Sequence, residues 1–200
     1  MKTEFDIQRI VEKLSNQEIV CLPTDTLFAL SCDATNKSAV NNLYQIKMRE
    51  LEKKLPVLFC SLEHVMQHCE LSNQAIELAR KFWPGPLTMI VKLKETSNIA
   101  QNVFDHSNFF IAVRIPKNDE IFKIIQLLNK PIIGTSANIS GTKNLITYEE
   151  IYSQFSLHKV TLFKSAILNM SFQPSTIISF ENTSPIIVRQ GQIPDQALAL

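Results

Sequence analysis

The stretch Pro131-Ile132-Ile133-Gly134-Thr135-Ser136-Ala137-Asn138-Ile139-Ser140-Gly141 decides how this chain reads. A short apolar run, suited to a buried strand, empties into Thr135, Ser136 and Asn138, and Ser140 and Gly141 close it. Hydroxyls and an amide gathered at a strand end have no packing value. In open α/β sheets the carboxyl ends of strands are where ligands bind. The stretch therefore predicts a strand over 131–134 whose end forms one wall of a site.

Outward from it, apolar runs predict further strands over 18–22, 55–60, 87–93, 109–115, 160–163, 176–180 and 186–189. Phe5, Ile7, Ile10, Val11 and Leu14 recur at helical spacing and mark an amphipathic first helix. Further helices are expected over 38–49, with Ser38 as N-cap, and over 61–69, 72–82, 120–128 and 147–155. Residues 94–108 read as loop, and the tail after Gly191 has little character. Strands and helices alternate irregularly. The expected class is α/β, a twisted open mixed sheet flanked by helices, in a single domain over 1–200 with its core about residues 5–192.

The 200 residues are 45% hydrophobic and 20% charged, the make-up of a globular domain, and the net charge of +1 excludes a global basic field for nucleic acid. Cys21, Cys32, Cys60 and Cys69 match no CxxC or zinc spacing, and Cys21 and Cys60 sit in apolar runs as small buried hydrophobes. They suggest a reduced, intracellular protein. The N-terminus has an early acid and no apolar h-region, and no apolar stretch is long enough to span a bilayer. A cytoplasmic protein without a membrane partner is expected.

Four glycines (85, 134, 141 and 191) form neither GxGxxG nor a Walker motif. Lys47 and Arg49 lie at a helix end, where the macrodipole favours cations, so solvated surface charges would explain them. They would equally form a phosphate clamp, a planar fork beside a point charge, and Lys53 and Lys54 extend the cluster toward a polyanion. Thr24-Asp25-Thr26 follows Pro23 as a turn or a site loop, in which Asp25 could hold an ammonium or a metal. Arg114 and Arg189 each end an apolar strand, either solvated or aimed at a substrate carboxylate. Phe82 and Trp83 read as core aromatics. His64, His68, His106 and His158 have no helpful pattern. His64 and His68 share a helix face without a third ligand, and no Ser-His-Asp or Cys-His arrangement can be argued.

Together these segments resemble one family. Pro23-Thr24-Asp25-Thr26-Leu27-Phe28-Ala29-Leu30 resembles a PTDTVYGL loop, Lys47-Met48-Arg49 a KxR motif, and Phe82-Trp83-Pro84-Gly85-Pro86-Leu87-Thr88 an FWPGPLT segment. Ala112-Val113-Arg114-Ile115-Pro116 resembles AVRxP, and Thr135 to Gly141 resembles TSANxSG. Pro174-Ser175-Thr176 and Val188-Arg189-Gln190-Gly191 resemble closing PST and RxG segments. Seven motifs in order, from about residue 5 to 192, are similar to the YrdC/TsaC-type threonylcarbamoyl-AMP synthases in their short form. Ala29, Phe28 and Glu50 stand where that family often has Gly, Tyr and Pro.

The resemblance implies a YrdC-like fold with a concave basic cavity. It also implies a nucleotidyltransferase that joins L-threonine, bicarbonate and ATP into threonylcarbamoyl-adenylate and releases pyrophosphate. This is the first step of N6-threonylcarbamoyladenosine formation in tRNA, completed by downstream threonylcarbamoyl-transfer proteins. By motif position it implies Lys47, Arg49, Ser136 and Asn138 as a catalytic tetrad around the ATP phosphates. It implies Thr24, Arg114, Thr135 and Ser175 at L-threonine and Arg189 at the nucleotide. Mg2+ is expected with ATP, and no protein side chain is expected as a metal ligand. Two other readings use the same residues: an RNA-binding module for tRNA or double-stranded RNA, and an inactive paralog acting as a scaffold.

Overall fold

The computed structural model describes residues 1–104, 107–165, 168–182 and 184–198. Its strands are β1 (Lys2–Glu4), β2 (Ile19–Pro23), β3 (Phe28–Ser31), β4 (Val57–Leu58), β5 (Cys69–Glu70), β6 (Leu87–Leu93), β7 (Phe110–Arg114), β8 (Ile132–Ile133), β9 (Thr135–Ser136), β10 (Val160–Phe163), β11 (Thr176–Ser179) and β12 (Ile186–Arg189). Its helices are α1 (Ile7–Ser15), α2 (Lys37–Ile46), α3 (Leu62–His68), α4 (Asn73–Phe82), α5 (Asp119–Leu128), α6 (Tyr148–Phe155) and α7 (Asp195–Leu198).

The mixed α/β class expected from the sequence is the class adopted. The strands divide between two sheets, however, and not one. A five-stranded sheet runs β1-β10-β2-β3-β9. A seven-stranded sheet runs β12-β11-β6-β7-β4-β8, with β5 beside the far end of β6. Both mix parallel and antiparallel pairs.

The segment 131–136 joins the two sheets. Ile132 and Ile133 pair with Leu58 and Val57 in the larger sheet, whereas Thr135 and Ser136 pair with Leu30 and Ala29 in the smaller. Gly134 is the crossing point. Its N–H donates to the Pro56 carbonyl at 2.9 Å, and a Cβ there would collide with the Leu58 side chain. The apolar run therefore stops at Gly134 because the backbones of two sheets meet there, and the polar residues beyond it open the second sheet.

Two apolar clusters hold the layers. Ile10, Leu14, Ile121, Ile124, Ile125 and Leu128 bring α1 and α5 together over Val20, Leu22 and Leu58. The larger cluster packs α2 and α4 against the strands, with Phe82 and Trp83 at its margin, half-buried. Cys21, Cys32 and Cys69 are buried and Cys60 only half-buried, and all four thiols are free.

Helix ends depart from expectation where capping chemistry overrides periodicity. Asn36, and not Ser38, caps α2: its extended backbone lets its side chain accept from Ala39 N–H at 2.9 Å. The helix ends at Ile46 and not Arg49. Met48 adopts a left-handed conformation (φ 50°), its N–H returning to Gln45 and the Arg49 N–H to Tyr44, both at 3.0 Å. This pattern is a Schellman cap with methionine where glycine is usual. Two elements lie outside the span expected for the core. β1 pairs in parallel with β10, and α7 buries Leu198.

Candidate active site

A cavity of about 510 Å³ opens where the two sheets meet, a size suited to a small-molecule cleft of roughly 300–1,000 Å³. Seven of the nine residues singled out in the sequence line it: Thr24, Arg49, Arg114, Thr135, Ser136, Ser175 and Arg189. Lys47 and Asn138 lie behind the wall.

Strand register explains the floor. Leu58 pairs with Arg114, Thr88 with Ile177, and Ile177 with Arg189. Met89 pairs with Val113, which sets Thr88 beside Arg114. Side chains on one face alternate with period two, so these residues form a single row across the larger sheet.

Arg114 is 7% exposed and held on three sides. Its Nε donates to the Gly85 carbonyl at 3.0 Å, one Nη to Thr26 Oγ1 at 2.7 Å and the other to Asp25 Oδ1 at 2.6 Å. Asp25, free in the sequence to take an ammonium or a metal, is thus committed to a guanidinium. Burial lowers the Arg114 pKa and Asp25 offsets part of that shift. Three of the five N–H groups of the guanidinium are used, which leaves two for a ligand.

Arg189 donates through Nε and Nη2 to the Ser175 carbonyl, at 3.2 and 2.7 Å, and Ser175 Oγ lies 2.8 Å from Thr88 Oγ1. Burial and the positive charge of Arg114 both lower the Arg189 pKa. Two guanidiniums thus repel one another across one cavity, an arrangement relieved by an anion. Thr24 is turned inward. Its Oγ1 accepts from the Thr26 and Leu27 amides at 3.0 and 3.2 Å and donates to the Leu27 carbonyl at 2.7 Å, so it shapes the loop between β2 and β3.

The left-handed Met48 sends its two neighbours to opposite sides. Lys47, 1% exposed, donates to the carbonyls of Ser136 and Asn138 at 2.5 and 2.8 Å. Burial, and secondarily the charge of Arg49, push its pKa down to about 7. Arg49 faces the cavity while its Nε and Nη2 hold the carbonyls of Lys53 and Lys54 at 2.6 and 3.0 Å. Ser136 Oγ donates to Asn138 Oδ1 at 2.5 Å, and Asn138 Nδ2 to the Thr142 carbonyl at 2.7 Å. The tetrad implied by the resemblance therefore splits into a pair on the wall, Arg49 and Ser136, and a pair behind it.

Thr26, from the loop read as a turn or a site loop, also lines the cavity, as do Thr88, Asn144 and Glu181, which were not singled out in the sequence. Thr88 was reachable, because register with Arg114 places it on the same face. His64 and His68 pack half-buried against Phe59, with His64 Nδ1 3.3 Å from Cys60 Sγ and His68 Nδ1 2.9 Å from Ser97 Oγ. His106 lies outside the described residues. Among the described residues no three His, Cys, Asp or Glu side chains group as a metal site, and no helix is long and apolar enough to cross a membrane.

Chemically, this cavity offers cationic and hydroxyl donors against a partly apolar floor of Ile90, Ala112 and Ile177. It suits a small anion at Arg114 beside a larger one at Arg49. Known proteins are similar to this chain in sequence and fold. The family described as Sua5/yciO/yrdC, "Telomere recombination", matches residues 12–191. A Methanocaldococcus jannaschii protein provisionally named threonylcarbamoyl-AMP synthase is 34% identical over 193 residues, 96% of this chain and 89% of that protein. The threonylcarbamoyl-AMP synthase of Aliivibrio fischeri is 30% identical over 176 residues, 86% of this chain and 92% of that protein. P. abyssi Sua5 complexed with L-threonine has the same fold, with TM-score 0.88 and 25% identity over 98% of this chain and 58% of that one. This chain thus spans a little over half of that Sua5. E. coli YciO matches in fold with TM-score 0.86 at 20% identity, over 100% of this chain and 97% of that one. With the family matched across nearly its whole length, the chain belongs to the Sua5/YciO/YrdC family.

Proposed function

We propose that the chain is a threonylcarbamoyl-AMP synthase, joining L-threonine, bicarbonate and ATP into threonylcarbamoyl-adenylate, pyrophosphate and water. The carrying observation is Arg114: a guanidinium locked by Gly85, Thr26 and Asp25, with two N–H groups left, in one cavity with Arg49 and Ser136. A carboxylate takes two parallel N–H donors, and L-threonine has one. Its amine is then free to take up the carbon dioxide unit as a carbamate. A carbamate oxygen attacks the α-phosphorus, and pyrophosphate leaves.

Such a transfer needs in-line positioning and charge stabilisation more than a protein nucleophile. Arg49 and Arg189 neutralise charge on the nucleotide, and Ser136 orients a phosphate oxygen. Lys47 and Asn138 act one layer back by fixing the backbone of Ser136. Thr24 shapes the threonine loop, and Thr135, Thr88 and Ser175 offer hydroxyls beside Arg114.

Mg2+, when bound with ATP, would supply shielding of the phosphate charge. Asp25 is committed to Arg114, and Glu181 accepts from Ser179 and Asn108, so the lining fits a metal carried by the nucleotide better than one held by carboxylates. Downstream proteins then transfer the threonylcarbamoyl group to tRNA. The free thiols suit a cytoplasmic setting.

Calorimetry of ATP binding with and without L-threonine tests the reading. Threonine-coupled ATP binding supports it. ATP binding indifferent to threonine, or tRNA binding through the same cavity in its place, contradicts it.

A further inference from the structure

We infer that Lys54 is a binding residue for the β- and γ-phosphates of ATP and for the pyrophosphate product, an inference that rests on the synthase reading above. Lys54 lines the cavity together with Arg49, Ser136, Asn144 and Pro56. Its Nζ donates at 3.0 Å to the carbonyl of Leu51, a contact at the surface that water can replace. Among the described residues no carboxylate lies within 4 Å of it. Its neighbour Lys53 differs in both respects. It does not line the cavity and pairs with Glu50 at 2.8 Å.

Local geometry holds Lys54 at the site. The Lys53 N–H returns to the Glu50 carbonyl at 3.2 Å, closing a turn through the backbone, and the exposed Glu50–Lys53 ion pair adds little to it. Arg49 then grips the carbonyls of Lys53 and Lys54 through Nε and Nη2, and Leu55 is fully buried as the anchor that follows. The remaining N–H groups of Arg49 and the ammonium of Lys54 are thereby presented from one rigid loop. Arg49 supplies a planar fork and Lys54 a flexible point charge, which suits a chain of phosphates longer than one fork spans. Arg114 and Arg189 stand on the sheet floor, so the Arg49–Lys54 loop is the cationic edge left for the phosphates that depart.

The test compares Lys54→Ala with Lys53→Ala in the full chain by calorimetry with ATP, pyrophosphate and AMP. Thermal denaturation checks that both variants fold. Lys54→Ala should weaken ATP and pyrophosphate roughly tenfold, the size expected for one charge-assisted contact, and leave AMP within about twofold. Lys53→Ala should bind all three as wild type does. Unchanged pyrophosphate binding in Lys54→Ala, or an equal loss for AMP, overturns the inference. Wild-type protein whose ATP binding ignores L-threonine overturns the synthase reading instead, and the pyrophosphate comparison still decides the role of Lys54.

Discussion

Arg114 Nη2 donates to Asp25 Oδ1 at 2.6 Å, with the two side chains 8% and 12% exposed. The acid comes from the loop between β2 and β3 and the base from the end of β7, so the pair ties one sheet to the other at the cavity. Buried ion pairs contribute little net stability as a pair, but breaking one leaves a charge without compensation. Asp25 therefore sets where the two free N–H groups of Arg114 point.

Asp25→Ala should lower stability by about 3 kcal/mol. It should also raise the Kd for L-threonine far more than that for AMP. Denaturant melts and the two titrations check this. Equal losses for both ligands would mean that Asp25 supports the fold alone.

The low pKa of Lys47 gives a stability signature. An unfolded lysine titrates near its ordinary value of 10.5, whereas the folded one releases its proton from about 7 upward. Between these values the unfolded state binds more protons, so stability rises with pH, by up to about 1.4 kcal/mol per unit. Wild type should gain stability relative to Lys47→Met between pH 7 and about 9, and below about pH 7 the difference should be flat. A constant difference across the range would show that the carbonyls of Ser136 and Asn138 hold the ammonium charged.

Met48 holds a left-handed backbone that costs an L-residue roughly 1–2 kcal/mol. Met48→Gly should stabilise the fold by about 0.5 kcal/mol, after the entropy of glycine is counted, with ATP affinity unchanged. Met48→Val should destabilise it, because a β-branched residue fits that conformation worst. Thermal denaturation of the two variants checks the pair.

Gly134→Ala should cost about 2 kcal/mol, since the added methyl meets Leu58 where the sheets join. Leu58→Ala alone should cost about 2–5 kcal/mol as a core truncation, and the double variant should lose less than the sum of the two single losses, because the truncation clears the space the methyl needs. Chemical denaturation of the single and double variants measures that coupling.

The class of fold and most strands were legible because apolar runs and their terminating prolines are local signals. The two-sheet division was not. It depends on Ile133 pairing with Val57 while Thr135 pairs with Leu30, and no local pattern specifies partners so far apart. Of the polar end, Thr135 and Ser136 line the cavity, whereas Asn138 lies behind its wall. The inward turn of Lys47 was hidden, because it follows from the handedness of Met48, a residue whose type gives no hint of a helix cap. The role of Asp25 was hidden for a related reason: its partner Arg114 lies 89 residues away. Helix boundaries slipped where Asn36 outcompeted Ser38 by reaching the Ala39 amide.

Pyrophosphate release from ATP tests the central claim most directly, measured with L-threonine and bicarbonate each present or omitted. Release only when both are present is the expected result, with that threonine-dependent release lost in Arg114→Ala. Folded protein that releases no pyrophosphate under that condition, or releases it without threonine, would contradict the assignment.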